Sequence, residues 1–180
     1  MNNILQKGLT LTEMLVVVSI VILFSAFVFG NYSVGKDGLA LERASQKLGQ
    51  DLRRAQEMGM AASFATGYNG AGIYLNESSS GSYILYHNSN SDGNYYYQAG
   101  TDYLKETITI EAGVKICNLQ DNGSDIGNNY VSVSFAPPEP ITRIENNNSG
   151  HEVSIILCSI ADNTKTRTIK VNNVGRIEVN

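Results

Sequence analysis

Apolar and polar positions alternate differently in three stretches of this chain. From Leu9 to Phe29 almost every residue is apolar, with no polar face at any helical or strand period. The run has the ~20 residues that a helix needs to cross a bilayer. It holds one carboxylate, Glu13, near its start. At the centre of a span such a charge costs roughly 2.5–3.5 kcal/mol. Gly30, Gly35 and Gly38 follow, and each glycine weakens a helix by ~1 kcal/mol relative to alanine. A weak point or break over 30–38, or a simple flexible linker, is therefore expected, with Asp37 as the N-cap of a renewed helix.

The second pattern is helical and one-sided. Leu41, Ala44, Leu48, Leu52, Ala55 and Met58 recur at steps of three and four, with Glu42, Arg43, Lys47, Asp51, Arg53, Arg54 and Glu57 between them. This spacing predicts an amphipathic helix over 39–66, closed near Gly67. The adjacent Arg53 and Arg54 fit a solvated helix face better than an anion site.

From Gly72 the period falls to two. GIYLN, SYILYH, TITIE, VKICNL, YVSVSFA, VSIILCSI, TRTIKV and GRIEV are strand candidates separated by Asn, Gly, Ser and Asp clusters. Asp162-Asn163 reads as a hairpin turn, and the prolines of FAPPEP (Phe135 to Pro140) end a strand. The expected fold is α+β: an apolar N-terminal helix continuing, after the glycine-rich interruption, into an amphipathic helix. That helix docks on an antiparallel sheet or a two-sheet head over 67–180.

Composition narrows this picture only slightly. The chain has 180 residues, enough for one domain with a real core, and a net charge of −4 that gives no steer toward nucleic acid or anionic lipid. A secretory signal would have an apolar region of about 7–15 residues and a small-residue cleavage site. Here the run is longer, Ser25-Ala26-Phe27 is a poor cleavage site, and Glu13 would lie inside the apolar region. A plain signal anchor fits the length but leaves the glutamate without a reason.

Lys7-Gly8-Leu9-Thr10-Leu11-Thr12-Glu13, ahead of this apolar run, resembles the processing site of type IV prepilins and type II secretion pseudopilins. The resemblance implies a leader over 1–8 removed by a prepilin peptidase on the cytoplasmic face, between Gly8 and Leu9. It implies N-methylation of Leu9, which stands where the family usually has Phe. Counted from Leu9, the fifth residue is Glu13, and the resemblance gives its carboxylate an assembly role, pairing with the amine of a neighbouring subunit. Lys7 before the span agrees with the positive-inside tendency, but Lys36 follows soon after, so the leader decides the topology. The protein would sit in the cytoplasmic (inner) membrane as a single-pass chain over 9–29 with its head outside. It would then enter a periplasmic or extracellular filament. LGQDLRRAQEMGMAAS, FAPPEP and VNNVGRIEV are similar to the GspH/FimT branch of this family, in whose filaments the glycine-rich part of the long helix can loosen. The partners implied are other pilin or pseudopilin subunits, the peptidase, an inner-membrane assembly platform, and membrane lipid before assembly.

Candidate chemistry in the head is sparse. His87 and His151 have no neighbours at metal-ligand spacing and no nucleophile motif, and both read as surface residues. NSNSDGN (Asn88 to Asn94) has the look of a calcium loop, but Asp92 is its only carboxylate and Ala99 stands at the twelfth position. A turn-rich loop is the better reading there, as it is for QDNGSD around Asp121 and Asp125. Tyr95 to Tyr97 would split across a surface by alternation, which favours sheet packing over a site for bases. No catalysis, metal or cofactor is expected.

Lys165, Arg167, Lys170 and Arg176 form a basic C-terminal cluster. Some FimT-like minor pilins bind DNA through Gly-Arg-x-Arg. This chain has Gly175-Arg176-Ile177-Glu178, and the glutamate subtracts from phosphate affinity. Cys117 and Cys158 both lie in strand candidates on the exported side. They read as one bridge or two buried thiols, the thiols slightly favoured. The leading expectation is a filament subunit. The alternatives are a membrane-tethered DNA- or ligand-binding minor pilin and a plain signal-anchored envelope protein.

Overall fold

The structure is a computed structural model and describes residues 10–61, 67–89, 94–137, 141–145 and 152–180. It is α+β. One helix, α1 (Leu11–Ala61), precedes ten strands: β1 (Gly70–Asn76), β2 (Ser82–Asn88), β3 (Tyr103–Thr109), β4 (Val114–Asp121), β5 (Ser124–Asp125), β6 (Tyr130–Ala136), β7 (Ile141–Glu145), β8 (Glu152–Ser159), β9 (Thr166–Asn172) and β10 (Ile177–Val179). The chain divides into two compact units, 1–36 and 37–180.

No break occurs in the helical backbone over 30–38. The helical backbone runs unbroken through Gly30, Gly35, Asp37 and Gly38, so Asp37 is not an N-cap. Glycine lowers helix stability but keeps its N–H, and propagation from helix on both sides carries the ladder across. The C-terminal limit expected at residue 66 lies outside the described residues.

In the second unit the strands form two five-stranded antiparallel sheets, of order β3-β2-β1-β6-β7 and β10-β9-β8-β4-β5. Of the two arrangements expected, the two-sheet head is the one formed. Alternation does the sorting. Ile73 and Leu75 of β1, Val131 and Val133 of β6, Ile155 and Leu157 of β8 and Ile169 and Val171 of β9 join Leu41, Leu48 and Leu52 of α1 in one core cluster. The helix face predicted from the three-and-four spacing is thus the face that is buried.

Two glycines let α1 approach closely. A Cβ at Gly59 would collide with the Phe135 carbonyl, and one at Gly49 would stand 2.8 Å from Val179 Cγ2. Bonds flank the packed face on both sides. Tyr83 Oη donates to Asp51 Oδ2 at 2.6 Å, and Arg54 meets Glu106 at 3.0 Å; across the helix, Arg167 of β9 meets Glu42 at 2.9 Å. Burial, and then the Asp51 carboxylate, push the Tyr83 hydroxyl well above the usual phenol range, so it remains a donor.

Two strands were not anticipated. β7 follows directly on the proline run, and β5 is only two residues long, formed by the turn at Asn122 (φ 50°) and Gly123 (φ 81°). Asn-Gly with both residues at positive φ is the pairing that suits a tight hairpin.

Candidate functional site

The start of α1 explains part of the awkward glutamate by purely local chemistry. Thr10 is the N-cap: its carbonyl accepts from the Met14 N–H at 3.2 Å, and its Oγ1 accepts from the Glu13 N–H at 3.3 Å. Glu13 answers in the other direction. Its Oε2 accepts from the Thr10 N–H at 2.9 Å and from Thr10 Oγ1 at 2.7 Å. This reciprocal arrangement is a capping box, which satisfies backbone donors that a helix start leaves open. The carboxylate also sits at the helix end where the peptide dipoles favour negative charge. The T-x-x-E spacing at Thr10 and Glu13 is the sequence signal of this cap.

Beyond the cap, Leu11–Val28 is long and apolar enough to cross a membrane, and its side chains are exposed throughout. Its hydroxyls do not spoil that character. Ser19 Oγ donates to the Leu15 carbonyl and Ser25 Oγ to the Val21 carbonyl, each at 2.8 Å. Bonding back to the preceding turn pairs both hydroxyls on the apolar surface. Gly8 and Leu9 lie outside the described residues, as do Asp92 and His151.

The basic cluster does not form a cationic patch. Arg167 is engaged by Glu42, Lys170 by Glu152 at 2.9 Å, and Arg176 by Glu178 at 2.6 Å. The bond from Arg167 first, and that from Gln46 second, hold the Glu42 carboxyl below its usual range. The bond to Glu152 raises Lys170. Lys165 is apart from them in the β8–β9 turn, where its N–H donates to the Asp162 carbonyl. Each of the three paired cations carries its own carboxylate, so the cluster reads as alternating charge.

The preference for two thiols is corrected. Cys117 and Cys158 form a disulfide, with Cα atoms 5.8 Å apart. The β4–β8 ladder shifts register between Ile116 and Asn118, which sets Cys117 into a bulge beside Cys158 on the neighbouring strand. Adjacency of β4 and β8 is a matter of topology, so no local signal could have decided the pairing.

The tyrosine run splits as alternation predicts. Tyr97 packs at a tilt against Tyr74 and Tyr86, with ring centres 5.1 and 5.2 Å apart, and Tyr95 lies beneath the Arg143 guanidinium at 4.0 Å. Tyr96 is exposed. His87, expected at the surface, is instead half-buried in a cluster with Tyr68 and Tyr103. Among the described residues no group of three His, Cys, Asp or Glu side chains could hold a metal ion. The turn at Asp121–Asp125 uses Asp125 internally, its Oδ1 accepting from Asn118 and Gln120.

No protein-family model, curated protein or solved structure matches the chain.

Proposed function

We propose that this protein is a structural subunit, a minor pilin or pseudopilin, of a type IV pilus or type II secretion filament. It is made as a precursor and assembled through its N-terminal helix, with no catalysis of its own. The observation that carries the reading is the stretch from Lys7 to Val28: a Gly-Leu junction, a glutamate at the fifth position beyond it, and an exposed apolar helix of spanning length. An antiparallel two-sheet head after a long helix is compatible with it. A prepilin peptidase cuts after Gly8, Leu9 is methylated, and Glu13 pairs with a neighbour's new amine as the helix leaves lipid for the filament core. In this reading Glu13 has two uses, the cap of its own helix and the assembly contact. The head faces outward from the inner membrane and then from the filament. The pairing of Arg167, Lys170 and Arg176 with carboxylates weighs against DNA as the head's partner.

The deciding experiment is intact mass of the protein recovered from cells that carry a prepilin peptidase. Loss of residues 1–8 and a methyl group on Leu9 are expected. An intact leader in those cells overturns the proposal in favour of a plain signal anchor. A Glu13→Ala variant, expected to be cleaved but not assembled, tests the assembly role separately; normal filament entry would remove it.

A further inference from the structure

His87 is the one histidine among the described residues, and the fold gives it an unusual setting. By register it pairs with Ala71 on β1 and with Tyr103 on β3. It therefore shares the core-facing side of the sheet with Leu85 and Tyr83, at the end of that row. Its ring lies 5.0 Å from Tyr68 and 6.4 Å from Tyr103, and those two rings are 6.2 Å apart. Its Nδ1 is buried and has no hydrogen-bond partner.

The strand it touches is one of the two edge strands of its sheet. β3 lies at the sheet edge and pairs with β2 alone; of its residues only Ile108 is buried. The β2–β3 ladder also shifts register between Leu85 and Tyr86. Tyr103 and Leu104 thus lie beyond an irregularity, and Tyr103 is 56 % exposed. This end of β3 is held by its ladder, by packing of Tyr103 on His87 and Tyr68, and by Asp102 next to it, whose carboxylate is bonded to the Ser89 and Gln98 backbone.

We propose that the Tyr68–His87–Tyr103 cluster is an acid-operated latch, in which protonation of His87 releases the Tyr103 end of β3 from the head. A proton on the buried Nδ1 creates a donor with no acceptor and a charge in a half-dry site. Lys105, two residues along β3, adds repulsion. The carboxylates of this edge are occupied elsewhere: Glu106 meets Arg54, and Asp102 accepts from the Ser89 and Gln98 N–H groups. Burial first, and Lys105 second, hold the ring below the ordinary histidine range. The sign follows. Above about pH 6.5 both closed and open forms are neutral at His87; below it the open form binds the proton first, so closure weakens as pH falls toward the depressed value and then levels off.

Hydrogen exchange of the full-length protein in detergent micelles tests this, comparing about pH 7.5 with about pH 5, the window in which histidine titrates. With rates corrected for intrinsic exchange, the amides of Tyr103–Thr109 should open up to about tenfold more per pH unit across the window. The same amides in a His87→Phe variant should not respond. Equal acid sensitivity in the variant, or none in the native protein, overturns the latch. Should the variant not fold, NMR titration of the native His87 ring decides. A midpoint below the ordinary range, followed by the Tyr103 ring signals, supports the proposal; an ordinary or raised midpoint, or unmoved Tyr103 signals, overturns it.

Discussion

The two ends of α1 have the same backbone and live by different rules. Leu11–Val28 is apolar on every side and exposed on every side. From Leu41 to Ala55 the helix is apolar on one side only, and that side is buried. The first pattern is what a helix needs when hydrocarbon or other helices surround it, and the second is what it needs at a water-facing surface. Helix propensity does not separate them. What differs is which groups are satisfied at home: Ser19, Ser25 and Glu13 bond within their own turn, whereas Glu42, Asp51 and Arg54 reach out to strands.

Substitutions can break this contrast. Leu52 is fully buried, and Leu52→Ala should cost the head about 2–5 kcal/mol in denaturant unfolding. Leu23, 70 % exposed, should leave head unfolding unchanged when truncated in the same way. Equal effects would mean that the two halves are not distinct environments. The disulfide comes next. Its partners are 41 residues apart, and Cys117→Ser with Cys158→Ser should lower head stability by about 2–4 kcal/mol without altering the apolar helix, measured by unfolding and by circular dichroism in micelles. The smallest effect sharpens the boundary between the halves. A Cβ at Gly38 would meet nothing within 4 Å, so Gly38→Ala should raise helix stability by about 0.5–1 kcal/mol. A loss there would show that this glycine is held for something other than the continuous helix.

Much of this architecture could be read directly from periodicity. The three-and-four spacing from Leu41 to Met58 named the docking face, and period-two runs located β1, β2, β4, β6, β8 and β9 to within a few residues. Local strings did worse where the deciding partner is distant. The Cys117–Cys158 bridge depends on β8 lying beside β4, and the setting of His87 depends on Tyr68 and Tyr103, which approach it only through the fold. β7 was hidden by the prolines before it. The glycines of 30–38 misled in the opposite direction, since propensity was weighed residue by residue while a helix propagates as a whole. At the candidate site both the Glu13 spacing and the T-x-x-E pattern that makes Thr10 its capping partner are legible in the sequence.

The flanking bonds of α1 have a mechanical consequence. Asp51 and Arg54 are tied to β2 and β3 while Glu42 is tied to β9, with Leu41, Leu48 and Leu52 packed between. The second half of α1 is therefore fastened to strands of both sheets at once, so that a load on this half of the helix is shared between the two sheets.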